Sequence, residues 1–420
     1  MNLKNDLVQN AHRNGIVSVC SSNHYVVKAA IVEAMAYGYP LLIESTANQV
    51  NQYGGYTGLT PSLFREYVMS LARDIGMDQE NIVFGGDHLG PLIWSNLPES
   101  EALPLAEILV REYVAAGFQK IHIDTSMKLK DDNIEGKLDD LIIARRAARL
   151  IAACENERKG ELIYVIGSEV PIPGGATSNS GKMKLTSTDD LEEQLRHFHS
   201  ELSKLNLEHV FSSIVGVVVQ PGVEFGDDEI IDYDRDAAKA LREFLSRKPT
   251  LSYEGHSTDY QLRELLRAMV EDGIRILKVG PALTFAFRQA VYNLERIERE
   301  FKFKDYSNIR DEFERVMLEN PEKWVNYYQG TDFELRQKRH YSFCDRIRYY
   351  AHFPAVTNAM KLLLRNLSSV KLPLSLLSEF FPNQYHRIRR NEITPDPENL
   401  IIDRIRDYLR DYTYAIIDRG

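Results

Sequence analysis

Three residues of metal-binding type stand at the ends of three separate apolar runs. His88 closes "NIVFGGDH", Glu169 lies in "YVIGSEVP" and His256 in "LSYEGHSTD". Two imidazoles and a carboxylate form the open-sided donor set of a catalytic zinc-type site, with a position left for water or substrate. A carboxylate beside such an ion can move protons, and Asp87 immediately precedes His88. Asp124 and Glu44 end two further runs and can face the same centre, pairing with a substrate hydroxyl or orienting a ligand. Asp87, Asp124 and Glu44 are therefore the expected catalytic groups, and His88, Glu169 and His256 the expected metal ligands. Each also has a plainer reading, as a lone polar residue at a strand end. For Asp87 that reading is a turn cap that accepts backbone N–H bonds.

Substrate-binding groups are sought next to these. Ser257 and Thr258 in "EGHSTDYQ", and Gly280 with the N–H groups opening the helix after Pro281, suit a phosphate; Lys278 adds positive charge. Asn48, Ser126 and Gln220 offer hydrogen bonds at other strand ends. Arg346 completes the expected set. It is one of two arginines in "YSFCDRIRYY", and Arg346 and Arg348 would lie on different helix faces, so one can meet the site and the other an ion pair. The Gly/Ser-rich stretch 171–190 reads as a flap over the site or as a plain connector. Gly85 and Gly86 are expected to leave room for substrate.

The elements that must position these residues follow a regular rhythm. Eight short apolar runs (15–23, 40–49, 81–88, 120–127, 164–171, 216–225, 251–259 and 276–285) alternate with helical stretches. Thr60 and Pro61 read as N-cap and first residue of one helix. Leu105, Ile108, Leu109 and Val114 read as the buried stripe of the next, with Gly117 ending it. Eight β–α units predict an α/β fold, a TIM (β/α)8 barrel; a doubly wound sheet competes less well, because no Gly-rich phosphate loop follows the first run. In a barrel the polar residues at the C-terminal strand ends are the catalytic ones, and alternate strands share a layer, so strands three, five and seven can converge. The expected division is a barrel over 1–300 and an α-helical C-terminal region over 301–420 packed on it, broken at Pro354, Pro373, Pro382 and Pro395.

Composition narrows the partners. The 420 residues carry a formal charge of −10, which argues against nucleic acid. Three dispersed cysteines, Cys20, Cys154 and Cys344, fit free thiols in a reducing compartment. No secretory signal is read in "MNLKNDLVQNAHRNG", and no uncharged run reaches the roughly 18–20 residues of a membrane span. A cytoplasmic protein without membrane contact is expected.

The motifs "LIESTANQVNQYGGYTG", "GGDHLGP", "IHIDTSM", "YVIGSEVPIPGG", "VVQPGVEF", "YEGHSTDYQ", "LKVGPALTFA" and "CDRIRYY" resemble the Z-type subunit family (GatZ/KbaZ) of D-tagatose-1,6-bisphosphate aldolase, along nearly the whole chain. The layout is also similar to class II aldolases. Their acid–His pair matches Asp87-His88, their Asp-x-Ser matches Asp124-Thr125-Ser126, and their seventh-strand histidine segment is similar to the segment holding His256. Glu169 stands where those enzymes place a histidine, a departure that bears on which metal binds. The resemblance implies a divalent metal, Zn2+ first, with Mn2+, Co2+ or Ni2+ as alternatives. It implies a ketohexose mono- or bisphosphate substrate and either aldol cleavage or C4-epimerisation between fructose 6-phosphate and tagatose 6-phosphate. It also implies a different role, a non-catalytic subunit supporting a class II aldolase catalytic subunit. A homo-oligomer fits either.

Overall fold

The computed structural model describes residues 15–133, 135–167 and 184–417. Eight parallel strands close into a barrel: β1 (Ile16–Cys20), β2 (Leu41–Thr46), β3 (Ile82–Leu89), β4 (Lys120–Ile123), β5 (Ile163–Ile166), β6 (Ile214–Val219), β7 (Ser252–Gly255) and β8 (Ile274–Val279). Neighbours follow chain order, and β8 closes against β1. A two-residue hairpin, Glu224–Phe225 with Ile230–Ile231, lies outside this sheet. The strands are buried on both faces, which explains their near-continuous apolar composition.

Helices cover the outside: α1 (His24–Tyr37), α2 (Pro61–Ile75), α3 (Glu99–Ala115), α4 (Asp140–Glu157), α5 (Thr188–Lys204), α6 (Lys239–Ser246), α7 (Arg263–Glu271) and α8 (Pro281–Glu298). Thr60 caps α2 through Leu63 N–H, with Pro61 at its first position, as the sequence predicts. The buried face of α3 is Ala102, Leu103, Ala106, Leu109, Val110, Tyr113 and Val114, whereas Ile108 is 42% exposed. Leu109 and Val114 of the expected stripe are buried, Leu105 is half-buried, and Leu103, Val110 and Tyr113 with two alanines complete the face in place of Ile108.

Side chains alternate along a strand, so every second residue fills the lumen. Ile16, Leu42, Val83, Ile163, Val165, Val215, Val218 and Ile276 form an apolar plug there. Beside this plug, toward the C-terminal strand ends, the filling becomes ionic. Lys120 Nζ stands 2.5 Å from both Glu44 Oε1 and Glu254 Oε2, all three fully buried. Gly85 permits this layer, since a Cβ there would lie 2.4 Å from Glu44 Oε1; one on Gly86 would lie 2.5 Å from Leu89. The two glycines make room for protein side chains, not for substrate as expected.

Beyond the barrel come α9 (Ile309–Glu319), α10 (Asp332–Tyr341), α11 (Pro354–Ser368), α12 (Leu374–Phe380), α13 (Pro382–Arg389) and α14 (Pro397–Ile416). Pro354 and Pro382 open α11 and α13, and Pro373 precedes α12. Helix α14 lies against α1, α7 and α8. Its firmest tie is Glu33 of α1, fully buried, which accepts from Arg406 Nε at 2.8 Å and Thr413 Oγ1 at 3.0 Å. Among the described residues no helix is long and apolar enough to cross a membrane.

Removing one partner of a buried pair strands the other charge. Glu33→Ala is expected to destabilise the chain by about 3 kcal/mol, read from its urea midpoint. Combining it with Arg406→Met is expected to restore most of the loss. An unchanged midpoint in the single variant would show that this tie contributes nothing.

Candidate metal centre and substrate cavity

Strand β3 ends irregularly. Its register with β4 shifts between Gly86 and Leu89, and His88 adopts φ 47°. A left-handed non-glycine residue costs about 1–3 kcal/mol. The bulge turns His88 to the same side as Asp87, which a straight strand forbids. On β4, Lys120, His122 and the following Asp124 alternate with Ile121 and Ile123. On β7, Ser252, Glu254 and the following His256 keep the same spacing.

Three imidazoles meet at these strand ends. Ring centroids lie 4.7 Å apart for His88–His122, 4.9 Å for His88–His256 and 5.4 Å for His122–His256. One nitrogen of each ring is fixed by an oxygen: His88 Nδ1 by Asp124 Oδ2 at 2.8 Å, His122 Nε2 by the Gly167 carbonyl at 2.9 Å, and His256 Nε2 by Glu254 Oε1 at 2.9 Å. A carbonyl only accepts, so Nε2 of His122 carries a hydrogen and, in the neutral ring, the Nδ1 lone pair accepts from the His88 backbone N–H at 3.2 Å. Such an acceptor behind each ring is what fixes the tautomer of a metal-binding histidine. Asp87, His88, His122 and His256 each bring a ligand atom within 4.8 Å of the others.

The charges suit a cation. Burial and the Lys278 ammonium hold the His256 pKa well below the ordinary value, leaving a neutral ring. Burial opposes ionisation of Asp87, but His88, Lys278 and His122 outweigh it and hold the carboxyl well below the usual range. Asp124 is brought to about 2, because the bond and charge of His88 overcome burial. Burial would lower the His122 pKa, yet the bond to Asp87, 2.9 Å from Nδ1, raises it, so a proton and a metal ion compete for that nitrogen. Burial pushes Glu44 up despite Lys120. With Glu44 protonated, Asp87, Asp124 and Glu254 outnumber Lys120 and Lys278 once an ion has displaced the His122 proton. Three braced imidazoles and a carboxylate fit a zinc-type ion.

Above the centre opens a cavity of about 790 Å³. Of the residues singled out from sequence, Asp87, His88, Asp124, His256, Asn48, Ser126, Ser257, Lys278 and Gly280 line it. Lys278 bonds directly to Asp87. Others stand elsewhere. Glu44 is sealed below with Lys120, and Thr258 Oγ1 bonds to the Lys278 carbonyl at 2.5 Å and to the Tyr412 hydroxyl at 3.1 Å. Gln220 lies off the cavity, its Oε1 accepting from Gly222 N–H at 2.8 Å. Arg346 turns away to the Lys323 carbonyl, its guanidinium 3.2 Å from the Tyr327 ring centre, and Arg348 lines the cavity in its place. Glu169 and positions 171–183 of the expected flap lie outside the described residues. His122 and Lys120 were missed, although the alternation K-I-H-I-D marks them as inward-facing, and Glu254, a polar residue at its strand end, was given no role. The N–H groups opening α8 are also not open to phosphate: Asp259 Oδ1 accepts from Gly280 at 3.1 Å and Ala282 at 2.7 Å.

A family model described as "D-tagatose-1,6-bisphosphate aldolase subunit GatZ/KbaZ-like" matches residues 3–417. The chain is 44% identical to the D-tagatose-1,6-bisphosphate aldolase subunit GatZ of Salmonella heidelberg (strain SL476), covering 96% of this chain and 95% of that one. Identity to the subunit of the same name from Klebsiella pneumoniae is 43% over the same shares. Among solved structures, a probable tagatose 6 phosphate kinase from Sinorhizobium meliloti 1021 superposes with a TM-score of 0.88 at 39% identity, covering 96% of this chain and 100% of that one.

Burial raises the Asp259 carboxyl to about 6, the bonds from Ala282 and Gly280 offsetting part of the effect. A carboxyl whose folded pKa is raised binds more protons folded than unfolded, so stability falls as pH rises from about 4 to about 6. Asp259→Asn keeps an oxygen for both N–H groups. It is expected to flatten that pH dependence and stabilise the protein by about 2–3 kcal/mol at pH 7, measured by denaturation at several pH values. Equal stability of the two proteins at pH 7 would show that Asp259 carries no such cost.

Proposed function

The chain belongs to the D-tagatose-1,6-bisphosphate aldolase subunit GatZ/KbaZ-like family, and we propose that it is itself a metal-dependent enzyme on ketohexose phosphates, breaking and remaking the C3–C4 bond. One observation carries this reading: three histidines braced by Asp124, the Gly167 carbonyl and Glu254 converge with Asp87, and of these Asp87, His88 and His256 line one cavity, with His122 buried behind them. A chain that only supports another subunit has no physical need for that convergence.

His88, His122 and His256 would hold the ion, with Asp87 at its edge. A bound divalent cation supplies Lewis-acid polarisation of the substrate's C2 carbonyl. The chain's own groups do the rest. Asp87, ionised at neutral pH, takes the C4 hydroxyl proton as the C3–C4 bond breaks, and returns it when the bond reforms. Lys278 steadies the Asp87 charge. Asp124 and Glu254 orient His88 and His256, and Lys120 in turn holds Glu254. If the three-carbon aldehyde turns over before the bond reforms, the product is the C4 epimer; if it leaves and the proton held by Asp87 passes to C3 of the remaining enolate, the net reaction is aldol cleavage. Aldolase and 4-epimerase activity thus ask for the same groups. The word "subunit" in the relatives' names favours a second reading, a non-catalytic partner of a class II aldolase chain.

The purified chain, supplied with Zn2+ or Mn2+ and fructose 6-phosphate, is expected to form tagatose 6-phosphate or triose products. No turnover alone, with turnover restored by a second aldolase chain, would establish the partner reading instead. His88→Ala, His122→Ala and His256→Ala are each expected to lose bound metal by elemental analysis; full occupancy in the His122 variant would remove that residue from the donor set. Asp87→Asn is expected to keep the metal and lose about 100-fold or more in kcat. Unchanged kcat would exclude Asp87 as the base.

A further inference from the structure

We propose that Arg348, in the segment following α10, is the anion anchor of this cavity and binds the phosphate of the substrate, with the Tyr349 hydroxyl beside it. The identity of the sugar rests on the preceding proposal; the anion site does not.

The argument starts from how this guanidinium is paired. Arg348 lines the cavity and is half-buried. Its Nη1 donates to the carbonyls of Cys344 and Asp345, the latter at 3.0 Å, and Nη2 to the Tyr349 hydroxyl at 3.0 Å. All three acceptors are neutral. Arg146 is matched with Glu99 and Asp132, Arg288 with Asp345, and the half-buried Arg387 with Asp403 and Asp407; the buried Arg346 also has no carboxylate partner, but it is turned to the Lys323 carbonyl and the Tyr327 ring, away from the cavity. Among the described residues no carboxylate lies within ion-pair distance of Arg348. Asp345 and Asp259 feel its charge, but Asp345 is engaged by Thr284 and Arg288, and Asp259 by the N–H groups of α8. A cation removed from water without a counter-ion is costly, and an arriving dianion removes that cost.

The surroundings carry the same sign. Burial would raise the Tyr349 phenol, yet Arg348 and Arg346 bring it below the ordinary value. Tyr56 meets the Tyr349 ring edge-on at 5.5 Å and, with Lys361, lines the same cavity. Asp87, His88, Asp124 and His256 line the same cavity. A sugar phosphate would be held by both groups, its carbonyl at the histidines and its phosphate at Arg348. The anchor is also rigidly placed: Asp345, at φ 44°, accepts from Thr284 Oγ1 at 2.5 Å and Arg288 Nε at 3.4 Å on α8, which fixes the short 3-10 helix Arg346–Tyr350 to the barrel.

The test compares Arg348→Met with Arg346→Met in the full-length metal-loaded protein, using inorganic phosphate as the calorimetric probe. Arg348→Met is expected to weaken phosphate binding about 10- to 100-fold and to raise KM for fructose 6-phosphate by a similar factor. Its kcat/KM for unphosphorylated fructose and its metal content are expected to stay unchanged, and Arg346→Met to bind phosphate as the parent does. Equal phosphate affinity in the Arg348 variant overturns the anchor. So does an equal loss on both sugars, which would mark a purely structural arginine. If Arg348→Met does not fold, Arg348→Gln and Tyr349→Phe carry the same comparison. If the chain shows no turnover, phosphate affinity still decides the anchor by itself, so the two proposals fail separately.

Discussion

Everything at the mouth of the barrel depends on a buried ammonium group. Lys120 sits where a barrel of this size would otherwise hold a branched aliphatic side chain, and its charge is neutralised by Glu44 and Glu254. Neither carboxylate survives there without it, because isolated charges in a low-dielectric interior are prohibitively costly. Glu254 then has a second task, since its other oxygen fixes the His256 ring. The interior ion triad and the outer histidine cluster are therefore one continuous network. The apolar plug below stabilises the barrel, and the charged layer above orients its chemistry.

The mouth itself is assembled from unlike pieces. A bulge and a left-handed His88 bring two adjacent residues to one side, at a local cost that the surrounding parallel sheet absorbs. Gly90 belongs to the same corner: a Cβ on it would stand 1.8 Å from the Asp124 carbonyl, so the loop after β3 passes directly over the end of β4. That close passage places Asp124 against His88. Backbone geometry, as much as side-chain chemistry, makes the imidazoles converge.

The helices after the barrel contribute more than cover. Ile309, Phe313, Val356 and Met360 give the cavity its apolar wall, and Arg348 with Tyr349 gives it a polar one. Their placement runs through Asp345, which links the 3-10 segment to α8. The cavity thereby carries carboxylates and imidazoles from the strand ends and a guanidinium from the helical wall.

By itself the sequence determined the barrel, the position of its eight strands and the concentration of polar residues at their C-terminal ends. Those features are local: alternation, turn residues and helix caps are legible within a few residues of chain. It also placed Asp87, His88, Asp124, His256 and Lys278 at the mouth, since strand ends of a barrel all point one way. Only the tertiary structure decided which of them meet. His122 lies inside a strand that reads as an ordinary apolar run, and the inward direction of His122 and Glu254 matters only once the sheet has closed. Between Arg346 and Arg348 the sequence offers no choice, because a left-handed turn at Asp345, held from α8, sets which one faces the cavity. The same holds for the start of α8, whose N–H groups suit an anion in isolation but are taken by Asp259 from the neighbouring loop. Composition and period are written along the chain, whereas pairing between distant side chains follows from the closure that brings them together.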